Sequence, residues 1–403
     1  MAGIGLKSIR DLELHRNRPL QLIYATSMMM IMGTALLYPV LPIIVQSLEV
    51  SPLRIGLVMS AFSLPAVFLA PVGGVMADLR GRKVVLVTCL LLYGAAGLAV
   101  GLVDSFGWLL ALRAVQGVGY SGIMPLAIVL IGDSFSGQRE VTAQGMKVFF
   151  DRAGNLLFPL AGGFLGVIAW QAPFFAYGVA IPLALGVWRW LPEPEVTRGG
   201  QSRVYFRGVL TLALMPRTLT IFSMSSLRFF LEVAFFTYLP IFALQSLDIS
   251  VQKGGLLFTV FALGAMVTSS QIGTLAGRHD KTRMVLVAFL LQGLCLLAAS
   301  VATSLWWFLG IMLLFGVANG VISPTQKSLL TQSAPRELRG GVVAGDRITQ
   351  NLAKTVAPPI AGLILTASSI PTMFRVLGVI ALAWVALVLV LQIRGVLRPA
   401  AQG

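Results

Sequence analysis

Apolar residues run along this chain in blocks of about twenty or more, separated by short breaks rich in Gly, Pro and charge. A block of that length crosses roughly 30 Å of hydrocarbon as a helix. In lipid only helices and closed barrels satisfy every backbone group, and these blocks are too long and too little alternating for barrel strands. The pattern predicts twelve spans, at residues 20–45, 54–77, 83–103, 106–131, 142–167, 170–191, 216–244, 254–276, 283–302, 305–330, 341–365 and 372–393. The longest polar stretch, PEPEVTRGGQSRVYFRG, holds the helix breakers Pro192, Pro194, Gly199 and Gly200 and divides the chain into halves. Arg203 and Arg207 flank aromatics there and suit either a solvated linker or a segment lying on a lipid surface.

The halves repeat one another. QSLEVS at 46–51 matches QSLDIS at 245–250, a spacing of 199. At the same spacing Gly56 matches Gly255, Gly74 matches Gly273, Trp108 matches Trp307, Gly117 matches Gly316 and Pro125 matches Pro324. The fifth span, REVTAQGMKVFFDRAGNLLFPLAGG at 139–163, repeats at 339–362 with a spacing of 200, which pairs Arg139 with Arg339, Gly145 with Gly345, Pro159 with Pro359 and Gly162 with Gly362. Register that holds from the first span to the fifth indicates a six-plus-six duplication, the parallel repeat on which rocking transporters are built. The expected fold class is an all-α polytopic membrane protein, with twelve transmembrane helices in two pseudo-symmetric six-helix bundles. Its parts are a cytosolic tail at 1–19, bundles at 20–191 and 216–393, a cytosolic linker at 192–215 and a cytosolic tail at 394–403.

Composition agrees with this reading. Of 403 residues 57% are hydrophobic and 11% charged, and mean hydropathy is +0.87, against about 25% charged residues in a soluble domain. The net charge of +15 would suggest nucleic acid in a soluble protein. Here it follows the positive-inside bias, and no nucleic-acid partner is expected: twenty basic residues fall on the inner side and three, Arg54, Lys253 and Arg375, on the outer. Both termini are thus expected in the cytoplasm, with the chain in the plasma membrane, or the inner membrane of a Gram-negative cell. Cys89 and Cys295 lie in separate spans, and His15 and His279 lie in a tail and a loop. No catalytic group, cofactor or metal site is expected, and an enzyme is disfavoured for want of a nucleophile–base pair or ligand cluster in the membrane.

The loop after span 2 reads GVMADLRGRK at 74–83, the pattern G-x-x-x-D-x-x-G-R-K. Gly74 permits close helix contact and Gly81 a tight turn, Asp78 sits at a helix end, and Arg82 and Lys83 anchor the inner face. Asp133, at the inner end of span 4, is the natural partner for Arg82. On these residues the chain resembles the major facilitator superfamily over nearly its whole length. The resemblance implies that Asp78 and Arg82 latch the halves on the cytoplasmic side and release when the inner gate opens. The second half holds a degenerate copy, GTLAGRHDK at 273–281, in which Gly277 replaces the acid. LLALRAVQGVGYSG at 109–122 resembles the span 4 motif of proton-coupled members, with Arg113, Gln116, Gly117 and Gly119 in place. GNLLFPLAGG at 154–163 resembles the span 5 antiporter bend motif through Gly154, Pro159, Gly162 and Gly163, with Phe158 where a second Gly belongs and Pro359 as its echo in the other half. YPVLP at 38–42 resembles a span 1 pattern of drug–proton antiporters. Together these imply an exporter of the twelve-span drug–proton antiporter type.

Charges inside the spans narrow the expectation. Seven cations, Arg113, Lys147, Arg152, Arg228, Lys327, Arg347 and Lys354, and three acids, Asp151, Glu232 and Asp346, lie at membrane depth. Such residues usually face a cavity and pair. Lys147 with Asp151, and Arg228 with Glu232, are four residues apart and share helix faces; Arg347, Asn351 and Lys354 line one face of span 11. Each pair reads either as a structural staple or as a carboxylate that exchanges its cation for a proton or substrate. Glu232 and Asp151 are the candidates for exchange. Asp346, roughly 7–8 Å from the inner surface by helix rise, is expected at a gate or rim. The surplus of four cations calls for an anionic, zwitterionic or amphiphilic organic substrate. The expected function is a proton-coupled exporter, expected as a monomer; the alternatives are a polyspecific multidrug/proton antiporter and a non-transporting membrane sensor. Met28, Met29, Met30 and Met32 read better as packing than as a binding wall.

Overall fold

A computed structural model describes residues 14–193, 203–247, 249–335 and 338–394, and every regular element among them is helical. Twelve helical spans follow in order: α1 (Arg18–Ser47), α2 (Pro52–Arg80), α3 (Arg82–Val100), α4 (Phe106–Ser134), α5 (Gly137–Ile168), α6 (Ala172–Trp190), α7 (Pro216–Leu247), α8 (Val251–Arg278), α9 (Lys281–Ala299), α10 (Leu305–Gln332), α11 (Arg339–Thr366) and α12 (Ile370–Ile393). Ten of these are long and apolar enough to cross a membrane by composition alone. The two that fall short are α5 and α11, the repeated pair that carries six of the ten internal charges. Three such charges on each lower the apolar content of these two helices below that of the rest.

Local chemistry explains the breaks. Asn17 caps α1, its side chain accepting from the Leu20 N–H at 3.0 Å, and Pro19 follows in the first turn. Pro39 and Pro42 interrupt α1 with a short 3₁₀ turn, Tyr38–Val40, before helix resumes at Leu41–Ser47. A second such turn, Ala176–Val179, breaks α6. The segment between the halves contains a helix, Arg203–Ala213, where the sequence suits either a solvated linker or a segment on a lipid surface. Its last residues, Leu212 and Ala213, pack on a cluster of Ile221, Phe222, Leu330, Ala334 and Val342. Apolar positions near its end thus join the second half's core.

The chain divides into two compact units. Unit one holds Met1–Val50 and Ala61–Gly199; unit two holds Ser51–Ser60 and Gly200–Gly403. The same pairings build both. In unit one α1 packs on α4, α5 and α6, and α3 packs on α4 and α6. In unit two α7 packs on α10, α11 and α12, and α9 packs on α10 and α12. Close approaches repeat as well: a Cβ on Gly117 would strike the Phe62 carbonyl, and one on Gly316 would strike the Phe261 carbonyl, both pairs being 199 apart. Glycine at these positions lets helix backbones touch, which compensates in lipid for the missing hydrophobic drive between helices.

Proline inside α11 has a defined cost and a defined repair. Pro359 cannot donate to the Thr355 carbonyl, and Ser60 Oγ donates to that oxygen at 2.6 Å instead. Tyr238 Oη donates to the Pro358 carbonyl at 2.9 Å.

Candidate functional site: membrane-depth ion pairs

In unit one the site is built where α1 lies against α5. Gly162 on α5 has no room for a side chain, since a Cβ there would run into the Leu36 carbonyl. Gly154, Pro159, Gly162 and Gly163 are all buried on that helix, and the Phe158 ring folds back over Gly154. The close contact lets short side chains on α1 reach α5. Lys147 Nζ lies 2.8 Å from Asp151 Oδ2, and Ser27 Oγ donates to the other carboxylate oxygen. Asn155 donates to the Asp151 carbonyl at 2.9 Å. Lys147 is buried, and the Asp151 side chain keeps 19% exposure, so this ion pair remains reachable. Arg152 is half-buried.

Arg113 on α4 is placed differently from the expected cavity position. It is fully enclosed. Its guanidinium donates to Gln116 Oε1 at 2.7 Å and to the Gly33 carbonyl at 3.0 Å, and lies 4.1 Å over the Phe62 ring. Tyr177 Oη donates to the Met32 carbonyl at 3.2 Å, and Tyr93 Oη to that of Met29 at 2.7 Å. These bonds tie α1 to α3, α4 and α6. Met29, Met30 and Met32 are buried among them, as packing residues are.

In unit two α7 faces α10 and α11. Arg228 Nη1 lies 3.3 Å from Glu232 Oε2 and 3.4 Å from Asn319 Oδ1. Asn319 Nδ2 donates to the same Glu232 oxygen at 2.7 Å. The Arg228 guanidinium lies 3.8 Å over the Phe229 ring, and the Lys354 ammonium 4.2 Å over the same ring. Asn351 is buried, Arg347 half-buried and Lys327 exposed, the last in the final turns of α10 rather than at mid-depth.

Asp346, expected at a gate or rim, lies inside the bundle. It is 3% exposed. Gln350 Nε2 donates to it at 2.6 Å and Gln326 Nε2 at 3.3 Å, while both amides also reach Ser225 Oγ. The side chains that donate to it are neutral, from α10 and α11, and the Arg347 charge acts on it from the next position of α11. Distance along the helix measures depth but not which way a side chain points, and Asp346 points into the bundle. Ser27, Ser225, Asn319, Gln326 and Gln350 were not singled out from sequence. Short polar residues in apolar runs carry little signal until a facing carboxylate is known.

Between the start of α3 and the end of α4, Arg82 pairs with Asp133. The Asp78 side chain and the surroundings of Gly74 lie outside the described residues. Gly81 begins α3 with φ +97°, a conformation that favours glycine. Glu193, just beyond α6, accepts from the Lys83 backbone N–H at 3.3 Å with both oxygens, and Lys83 Nζ sits 5.3 Å over Trp188. In unit two the cation at the matching position, Lys281, has an uncharged partner: its Nζ donates to Ser328 Oγ at 2.9 Å.

A duplicated six-helix membrane protein with carboxylates held at depth is the architecture of a secondary transporter. The sequence profile of the Major Facilitator Superfamily matches residues 23–342 and again 221–402, and the chain belongs to that superfamily. It is therefore a multi-pass membrane transporter of a small molecule, and not an enzyme. The chain is 27% identical over 358 residues to the bacillibactin exporter of Bacillus subtilis (strain 168), an alignment covering 84% of this chain and 88% of that one. It is 25% identical over 347 residues to multidrug resistance protein MdtG of Salmonella typhi, covering 83% and 85%. The crystal structure of nucleoside transporter NupG superposes with a TM-score of 0.79 at 14% identity, covering 93% of this chain and 99% of that one. That likeness bears on the fold alone.

Proposed function

We propose that this transporter exports an anionic, zwitterionic or amphiphilic organic molecule in exchange for protons. One observation carries the reading. Each unit holds a carboxylate that is paired with a cation one turn away and bonded to a neutral side chain on a facing helix: Asp151 with Lys147 and Ser27, Glu232 with Arg228 and Asn319. Protonating such a carboxylate frees its cation and changes the charge at that depth, which shifts the balance between two helix packings. Cations outnumber acids inside the spans, which favours a substrate that brings negative charge. A relative named as an exporter supports the outward direction. In this reading the bundles at 20–191 and 216–393 rock against each other, Asp78, Arg82 and Asp133 latch the cytoplasmic side, and the bend at Pro159 and Pro359 lets α5 and α11 flex. The protein works as a monomer in the plasma or inner membrane, with both termini in the cytoplasm.

Flux in proteoliposomes against a panel of organic anions, with and without a pH gradient, tests this. Anion efflux that rises with an inward proton gradient is expected, and Glu232→Gln abolishes the gradient dependence. Retained dependence in that variant moves the proton to Asp151. A second reading, a polyspecific multidrug antiporter, is favoured by the relatives named multidrug resistance protein. A strong preference for cationic dyes in the same assay would establish it over the anion reading.

A further inference from the structure

The cation–aromatic cluster in unit two is placed where the duplicated scaffold gives no reason for charge. With the spacing of 199 for the first and fourth helices and 200 for the fifth, Arg228 corresponds to Met29, Phe229 to Met30, Glu232 to Gly33, Asn319 to Tyr120 and Lys354 to Gly154. Unit one fills these positions with apolar side chains, Gly and Tyr, and folds by the same helix pairings. The polar set is therefore not needed to build a six-helix unit of this kind.

Its charges do not balance. Arg228 and Lys354 both lean on Phe229, at 3.8 and 4.2 Å from the ring, and Glu232 is the one acid bonded into the group among the described residues. Glu232 is already engaged by Arg228 and by Asn319. Lys354 is half-buried near the middle of α11, and no carboxylate pairs with it among the described residues. A ring face holds an ammonium in place but leaves its remaining N–H donors unused. An ammonium at membrane depth usually finds a counter-charge, and this one rests against a ring with donors to spare.

We propose that Lys354, positioned by Phe229 and reinforced by the charge of Arg228, is the docking point for the anionic group of the substrate, a carboxylate or similar oxyanion on an organic molecule. The proposal rests on the anion reading given above and assigns it to one side chain. Substrate oxygens would take the ammonium donors that the ring leaves unused. Phe229 and Glu232 are half-buried too, so the group is reachable from outside unit two.

Equilibrium binding to the full-length protein in lipid nanodiscs tests the assignment without transport. The probes are a fluorescent aryl carboxylate and its methyl ester, which differ in charge and little in shape. Wild type should bind the acid roughly tenfold more tightly than the ester, as a charge-assisted hydrogen bond gives. Lys354→Met should remove that preference, and an unfolding temperature close to that of wild type in the same nanodiscs shows that the variant is folded. Lys354→Arg should retain most of the preference. Phe229→Leu, which removes the ring but no charge, should weaken it several-fold and serves if Lys354→Met fails to fold. No acid preference in wild type, or full preference in Lys354→Met or in Phe229→Leu, overturns the proposal. The functional reading fails separately: protein that binds the acid through Lys354 but shows no proton-driven flux keeps the site and loses the exporter.

Discussion

The two units hold membrane-depth carboxylates on their fifth helices by opposite means. In unit one Asp151 of α5 is bonded by Lys147 on its own helix and by Ser27 across from it. In unit two Asp346 of α11 is bonded by two glutamine amides that also reach Ser225. Both use a serine from the first helix of the unit, at positions one residue apart in the repeat. The carboxylate itself has moved by five residues, because Asp151 corresponds to Asn351. A charge-paired acid and a neutrally caged acid respond differently to losing their charge. The duplication thus fixes where a polar contact forms between these helices and leaves its electrostatics to diverge.

The largest expected effect separates these designs. Asp151→Asn leaves Lys147 buried without a counter-charge and should cost about 3 kcal/mol of stability. Asp346→Asn strands no cation among its bonded partners, and the two glutamine amides can turn to present oxygen to the new amide. Its cost should stay near about 1 kcal/mol. Thermal unfolding of the two variants in the same detergent checks the ordering. Equal losses would mean that Asp346 has a cationic partner of equal weight.

A smaller effect tests what the units share. Gly117→Ala and Gly316→Ala each push a methyl group into a facing carbonyl and should each cost about 2 kcal/mol by overpacking. Similar drops in unfolding temperature are expected, since the two close approaches are copies. A silent Gly316→Ala beside a destabilising Gly117→Ala would show that α8 and α10 yield where α2 and α4 do not.

This division explains what was legible in the sequence. Span number, helical class and the six-plus-six repeat follow from hydrophobic length and from Gly and Pro at fixed spacing. The pairs Lys147–Asp151 and Arg228–Glu232 were readable because four residues is one helical turn. Contacts across helices were not. Nothing local marks Asn319 as the partner of Glu232, or Gln326 as a partner of Asp346, and the inward aim of Asp346 depends on helix rotation. Arg113 shows the same limit: its depth was readable, its enclosure by Phe62 and Gln116 was not.

The starts of α3 and α9 repeat the contrast at lower energy. Arg82–Asp133 in unit one is an ion pair, and Lys281–Ser328 in unit two is a hydrogen bond from a charged ammonium to an uncharged hydroxyl. Asp133→Asn should lower stability by about 1 kcal/mol at low salt and by less at high salt, as a partly exposed pair does. Ser328→Ala should cost less and show no salt dependence. Equal salt slopes for the two variants would remove the distinction.

The smallest effect concerns a cap that only one end of the comparison has. α9 begins with its own cap, Asp280, whose side chain accepts from the Arg283 N–H at 2.8 Å. α3 begins at Gly81, which has no side chain to offer, and borrows the Glu193 carboxylate from beyond α6. A negative charge beside free N–H groups at a helix start is worth a fraction of a kcal/mol when exposed. Glu193→Gln keeps an acceptor and loses the charge, so it should cost about 0.5 kcal/mol. Asp280→Ala loses acceptor and charge together and should cost about 1 kcal/mol. Hydrogen exchange at the first amides of α3 and α9 reads each end directly: faster exchange confined to α3 is expected for Glu193→Gln, and confined to α9 for Asp280→Ala. If Glu193→Gln leaves the α3 amides as protected as before, the carboxylate only rests beside that helix, and the Gly81 turn sets its start unaided.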